Sequence, residues 1–221
     1  MVIIAKTKIK CLFFDFWGTI VENGLFPSPS RRAQRIFRID MPFSDYIVRF
    51  EKAFMTSKVE TLTEAFHNVA KEFDVKPPEF VYDTLVGMWN KNTFLSKPFA
   101  ETIEVLEEMK KSYKLVLISN TDNLSIPQLL DKFDLKKYFD AVVLSCDIGL
   151  LKTDKKMFQY ALKQVKLKNS EVIMVGDAIP TDVEGAKNAG IKAILVDRRD
   201  TREFEPKIPS LKELKSKLEE V

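Results

Sequence analysis

Cysteine is nearly missing: Cys11 and Cys146 are the two in 221 residues, and both lie in or beside apolar runs. A disulfide framework is therefore not what organises this chain, and reduced, buried thiols are expected. No apolar run approaches the length of a membrane span, and the opening "MVIIAKTKIK" breaks into lysines too soon for the core of a signal peptide. A cytoplasmic protein with no membrane partner is the expectation. Nor does one sign of charge dominate. Thirty-five Lys and Arg residues face 32 Asp and Glu, for a net charge of +3, too even a balance to argue for nucleic acid. Histidine occurs once, as His67, next to an apolar helical stripe, where an ordinary helix-surface role is expected. Internal repeats and low-complexity tracts are absent.

What is present is enough apolar material for a sizeable core, 45% of residues against 30% charged. That suits one large domain or a core with an inserted subdomain. Five short runs read as buried strands: "IKCLFFDF" (9–16), "KLVLISN" (114–120), "AVVLS" (141–145), "EVIMVGD" (171–177) and "KAILVD" (192–197). They do not alternate cleanly, as befits parallel strands covered on both faces. Helical patterns fill the gaps, including "ETIEVLEEMKK" with Ile103, Leu106 and Met109 at helical spacing. Alternating strand and helix predict an α/β, Rossmann-like, doubly wound parallel sheet. Residues 24–97 break the rhythm, with helical patterns near 30–40, 43–57, 61–73 and 79–92. Thr61 and Glu64 have the spacing of a capping box. The expected organisation is a core of residues 1–23 and 98–221 with an all-helical insertion at 24–97, and a helical tail at "SLKELKSKLEEV".

Polar residues collect where such sheets bind ligands, beyond the carboxyl ends of the strands. Asp15 ends the first run, Ser119 and Asn120 the second, and Gly176 and Asp177 the fourth; Lys152 follows the third and Asp182 opens the helix after the fourth. One Asp after a strand is ordinarily a turn or cap; capping does not account for the whole set. Asp15, Asp177 and Asp182 together would repel without a cation, and a hard divalent ion such as Mg²⁺ takes carboxylates plus substrate phosphate. Lys152 is suited to neutralise charge on that phosphoryl group, Ser119 to donate to it, and Asp15 to attack phosphorus as a carboxylate nucleophile.

The segments "DFWGT", "ISN", "GLLK" and "GDAIPTD", in this order, resemble the haloacid dehalogenase superfamily over about residues 9–197. The resemblance implies a Rossmann-like core, a helical cap of the first subfamily type and, most often, Mg²⁺-dependent phosphatase activity on a small phosphorylated metabolite. Asp15 then corresponds to the nucleophile, Lys152 to the stabilising lysine, and Thr19 and Ser119 to phosphoryl contacts, with Asn120 beside them in the substrate-binding set. Asp15, the Trp17 carbonyl, Asp177 and Asp182 correspond to the metal site.

Trp17 departs from the pattern. The superfamily's phosphatases carry there an aspartate that protonates the leaving oxygen and later activates water. Trp17 keeps the backbone carbonyl and loses the acid, which by general acid–base magnitudes costs ~10²–10⁴-fold. Three readings follow: a phosphohydrolase whose acid comes from elsewhere, with Glu22, Asp122 and His67 as candidates; a 2-haloacid dehalogenase, whose relatives carry an aromatic residue here; or a chain that binds a phosphorylated ligand or partner without turning it over. Arg31, Arg35 and Arg38, expected on one helical face beside Arg32, read as a solvated basic face or a grip for an anionic tail. Phe26, Phe43, Phe54 and Trp89 are expected to pack the insertion.

Overall fold

The computed structural model describes residues 8–220. Residues 1–7, most of the stretch weighed above for targeting, and Val221 of the helical tail lie outside them. In chain order the elements are β1 (Cys11–Phe14), β2 (Val21–Glu22), α1 (Pro29–Ile36), α2 (Phe43–Met55), α3 (Leu62–Glu72), α4 (Glu79–Leu95), β3 (Lys97–Pro98), α5 (Thr102–Lys110) and β4 (Lys114–Ser119). Then come α6 (Ser125–Lys132), β5 (Ala141–Leu144), α7 (Ser145–Ile148), α8 (Lys155–Val165), β6 (Val172–Gly176), α9 (Glu184–Asn188), β7 (Lys192–Val196), β8 (Lys207–Ile208) and α10 (Leu214–Glu220).

The main sheet has strand order β5-β4-β1-β6-β7-β8 and is parallel throughout. Its pleat divides the apolar runs between two cores. Leu12 and Phe14 join one face with Leu115, Leu117 and Val175; Cys11 and Phe13 join the other with Val116, Ile118 and Met174. Each strand is apolar on both sides because both sides are covered. The chain winds outward from β1 in one direction through β4 and β5, and in the other through β6 and β7. The crevice between β1 and β6 is thus the switch point where doubly wound sheets bind ligands. Five of the strands are the runs read from sequence. The sixth, β8, is a two-residue edge paired to Leu195 and Val196, too short to leave a pattern.

Helices α1–α4 form a separate unit with its own core. Phe50 stacks on Phe54 at 5.1 Å, Trp89 meets Phe54 at 4.5 Å, and Phe66 meets Trp89 edge-on at 5.7 Å. These aromatic contacts follow from the helical spacing of Tyr46, Phe50 and Phe54 on α2. The unit joins the sheet through a two-stranded antiparallel ribbon, Val21 opposite Pro98 and Glu22 opposite Lys97, which the sequence pattern does not signal.

Four local expectations change. The Thr61 hydroxyl accepts from the Glu64 amide, but the Glu64 carboxylate reaches the Glu60 amide rather than that of Thr61. In α5, Val105 rather than Ile103 faces inward, and Ile103 is exposed. Helix α1 ends at Ile36, and Arg38 turns away at φ 54°; Arg31 and Arg35 keep their four-residue spacing on α1, and Arg38 does not join them. Phe26 does not pack the insertion: it is 75% exposed. Because Phe54 is fully enclosed by the rings around it, Phe54→Ala is expected to lower stability by ~3–5 kcal/mol, read from denaturant unfolding. A loss below ~1 kcal/mol would show that the aromatic cluster is not the unit's core.

Candidate active site

The switch point brings the strand-end residues together. Asp15 follows β1 and is fixed by its backbone, whose N–H donates to the Val175 carbonyl at 3.0 Å. Lys152, on the loop after α7, places its ammonium 2.5 Å from Asp15 Oδ1 and 2.5 Å from Asp182 Oδ1. All three side chains are nearly inaccessible. Burial alone would favour the neutral amine, but the two carboxylates outweigh it and hold Lys152 charged, with its pKa raised. Ser119 and Thr19 hydroxyls lie 3.4 and 3.5 Å from the Asp15 carboxylate oxygens.

Two glycines make this packing possible. Gly18 sits at φ +76°, and a side chain there would run into the Asp177 carboxylate; one at Gly176 would run into Asp182. Asp182 itself lies in a single π-helical turn, Ile179–Val183, ahead of α9. Its second oxygen accepts the Ala178 N–H at 3.0 Å, so the turn closes on the carboxylate that faces Lys152.

Oxygen atoms of Asp15, Asp177 and Asp182 all lie within 4.8 Å of one another. One ammonium does not balance three such acids. Burial, opposed by Lys152, pushes Asp15 up to about 6. Burial and the repulsion of Asp15 and Asp182 push Asp177 up to about 8. The donor set is oxygen only, the kind a hard divalent cation prefers.

Beyond Asp15 lies a cavity of about 160 Å³, walled on the sheet side by Trp17, Asn120, Lys152 and Asp177 and on the helical side by Ile47, Glu51, Met55, Trp89 and Asn92. Trp17 is half-buried, edge-on to Phe16 at 5.0 Å. None of the three substitute acids lines this cavity. Glu22 pairs with Lys97 at 3.2 Å on the connecting ribbon. Asp122 is spent on the Leu124 and Ser125 amides and on the Trp89 indole N–H, which donates at 3.2 Å. His67 is exposed, against the Tyr82 ring at 4.2 Å. The arginines stay outside as well: Arg31 stacks on Phe43, and Arg32 donates to the Phe26 and Pro27 carbonyls.

Two features were not anticipated. Glu51 enters the cavity from α2, flanked at four-residue spacing by Ile47 and Met55, which line it too. A lone carboxylate on that otherwise apolar stripe was the available signal. Arg198 fastens the loop after Asp15, donating to the Gly18 and Thr19 carbonyls at 3.2 and 2.7 Å while pairing with Glu101 at 2.7 Å; no sequence spacing pointed to it.

A buried, lysine-held aspartate at the switch point of a parallel sheet defines an aspartate-centred α/β hydrolase. The chain belongs to the haloacid dehalogenase-like hydrolase family, whose model matches residues 12–196. It is 30% identical to a glyceraldehyde 3-phosphate phosphatase of Methanocaldococcus jannaschii, over 93% of this chain and 95% of that one. It is 29% identical to the human N-acylneuraminate-9-phosphatase, over 85% and 82%. In fold it is similar to the L-2-haloacid dehalogenase of Xanthobacter autotrophicus, with a TM-score of 0.68 at 19% identity, over 93% of this chain and 96% of that chain. Among the described residues no helix is long and apolar enough to cross a membrane.

The acid cluster makes stability depend on pH. Asp15 and Asp177 hold protons more tightly folded than unfolded, since both rise from 3.8. Their contribution is complete below about pH 4 and is lost as pH climbs towards 8. Carboxylates held low by partners, Glu101 and Asp197, titrate below that window. In EDTA, Tm is expected to fall between about pH 5 and pH 8, and Asp177→Asn to flatten the fall. A Tm rising across that range would contradict the cluster's electrostatics.

Proposed function

We propose that the protein is a Mg²⁺-dependent phosphohydrolase. Residues 24–97 serve as a cap over a catalytic core of 1–23 and 98–221, and turnover runs through an aspartyl-phosphate on Asp15. The observation that carries this reading is the Asp15–Lys152–Asp182 cluster, with Asp177 beside it, opening on a cavity roofed by the helices.

An Asp15 oxygen attacks phosphorus and displaces the ester oxygen. Lys152 holds the carboxylate in place and sets positive charge beside the transferring group. Thr19 and Ser119 hydroxyls, already at Asp15, donate to phosphoryl oxygens, and Asn120 braces the site by accepting from the Lys152 backbone N–H at 2.9 Å. Asp15, Asp177 and the Trp17 carbonyl would hold Mg²⁺. Both oxygens of Asp182 are engaged by Lys152 and Ala178, so Asp182 stands behind the metal site and orders it. When bound, Mg²⁺ supplies the positive charge that the three acids and a phosphate together require.

The cap side of the cavity carries no Lys or Arg. The substrate's alcohol portion is accordingly small and uncharged. The three-carbon ester in the archaeal relative's name matches better than N-acylneuraminate 9-phosphate, which is larger and brings its own carboxylate.

The test is a panel of phosphate esters and 2-haloacids with and without Mg²⁺. Phosphate release is expected with Mg²⁺ and lost in EDTA, with kcat/KM higher for uncharged three-carbon esters than for carboxylate-bearing ones. Asp15→Asn is expected to abolish it, since an amide is a poor nucleophile. Metal-free turnover of 2-haloacids, or an active Asp15→Asn variant, would overturn this reading.

A further inference from the structure

We propose that Glu51 is the acid that protonates the leaving oxygen and the base that then activates water, carried by the cap in place of the loop carboxylate that Trp17 displaces. This rests on the aspartyl-phosphate reading above.

Glu51 is the one carboxylate that the helical unit contributes to the cavity containing Asp15. Its Oε2 accepts from Asn120 Nδ2 at 2.9 Å, which fixes the side chain and leaves Oε1 to carry a proton. Asn120 is itself braced through its Oδ1 against the Lys152 backbone. The orientation of Glu51 is therefore referred to the same loop that positions the nucleophile's lysine.

The surroundings suit a carboxyl that exchanges a proton. On its own helix the cavity-lining neighbours are Ile47 and Met55, and α4 presents Trp89 and Asn92; all are uncharged. From the core it feels Lys152, Asp182 and Asp15. Lys152 is already shared between those two aspartates, and Glu51 makes no ion pair among the described residues. Burial accordingly raises its pKa to about 7, with the Asn120 bond and Lys152 opposing, near the value at which one group can both give and take a proton at neutral pH.

The chemistry balances. As Asp15 attacks, the bond from phosphorus to the ester oxygen breaks, and the departing oxygen takes the Glu51 proton. The alcohol leaves and Glu51 becomes a carboxylate. Water then attacks the aspartyl-phosphate and gives its proton to Glu51 while the bond from phosphorus to Asp15 breaks. Phosphate is released, and Asp15 carboxylate and Glu51 acid are restored.

The same placement ties proton transfer to closure of the cap. Besides the Glu51–Asn120 bond, Ser145 donates to the Met55 carbonyl at 2.6 Å, and Asn123 bonds both backbone groups of Val59 at 2.9 and 3.0 Å. These contacts follow Glu51 along the chain, at Met55 on the same helix and at Val59 just beyond it, so the acid is in place when they are made.

The test compares leaving groups. Glu51→Gln keeps an oxygen for Asn120 to donate to and removes the transferable proton. With Mg²⁺, kcat/KM of the variant is expected to drop ~10²-fold or more on glycerol phosphate, whose alkoxide needs a proton. On acetyl phosphate and p-nitrophenyl phosphate, whose leaving groups depart as anions, the drop should stay within about threefold. Equal losses on all three substrates, or no loss on any, would overturn the role of Glu51 while leaving the nucleophile untouched. A wild type inactive on all three would overturn the phosphohydrolase reading and this one with it. The wild type supplies a measurement independent of the variant's folding. Across aryl and alkyl phosphates its rate should depend only weakly on leaving-group pKa, and a steep dependence would count against any internal acid.

Discussion

An ammonium buried between two carboxylates holds this site together. Taking Lys152 and its partners out of water costs several kcal/mol per ion, recovered only when geometry is tight and other hydrogen-bonding capacity is met. Both conditions hold: Lys152 is 2.5 Å from each acid, and Asp182 also accepts from Ala178. Much of the local backbone follows. The π turn carries Asp182 to the lysine, and Gly176 leaves room for it. Gly18 clears space for Asp177, and Arg198 fastens the loop from the far side. Asp177 makes no ion pair with that ammonium, and burial with the repulsion of Asp15 and Asp182 outweighs Lys152 and Arg202 to raise its pKa.

The helical unit and the sheet have different kinds of interior, and their contact is different again. Each interior is built of aromatic or aliphatic side chains. Between them the contacts are polar: hydrogen bonds from Ser145 to Met55, between Asn123 and Val59, from Asn120 to Glu51, and from the Trp89 indole to Asp122, with an exposed Lys58–Asp147 ion pair. Bonds of this kind exchange for water at small net cost, so the contact is suited to opening and closing. Leu151 on the core side joins the aromatic cluster of the helices and supplies the apolar part of the join.

Trp17 takes its meaning from this contact. On sequence it reads as a loss, an indole where the family resemblance implies an acid. In the fold it is a wall of the cavity, half-buried against Phe16, and the carboxylate across the cavity comes from α2. Glu22, Asp122 and His67 looked plausible because they are near the site or the insertion in sequence. They fail because an ion pair, a helix start and an aromatic neighbour respectively occupy them.

The chain's own pattern was sufficient for five of the six strands of the main sheet, for the helical character of residues 29–95 and for the strand-end residues from Asp15 to Asp182. These depend on local periodicity and on the rule that parallel strands deliver their carboxyl ends to one edge. It was not sufficient for the end of α1 at Ile36, the exposed Phe26, the β2–β3 ribbon or the clamp formed by Arg198. Least of all did it mark Glu51, one charged residue among many on helices. A helix's sequence states which residues share a face; it does not state which face is turned to the sheet, or what stands opposite. Only the docking of α2 over the β1–β6 crevice decided that Ile47, Glu51 and Met55, rather than Tyr46, Phe50 and Phe54, would look down on Asp15. Aromatic packing inside the helical unit sets which face of α2 is left over, and hydrogen bonds across the join seat that face, all among residues distant in sequence, which no local pattern records.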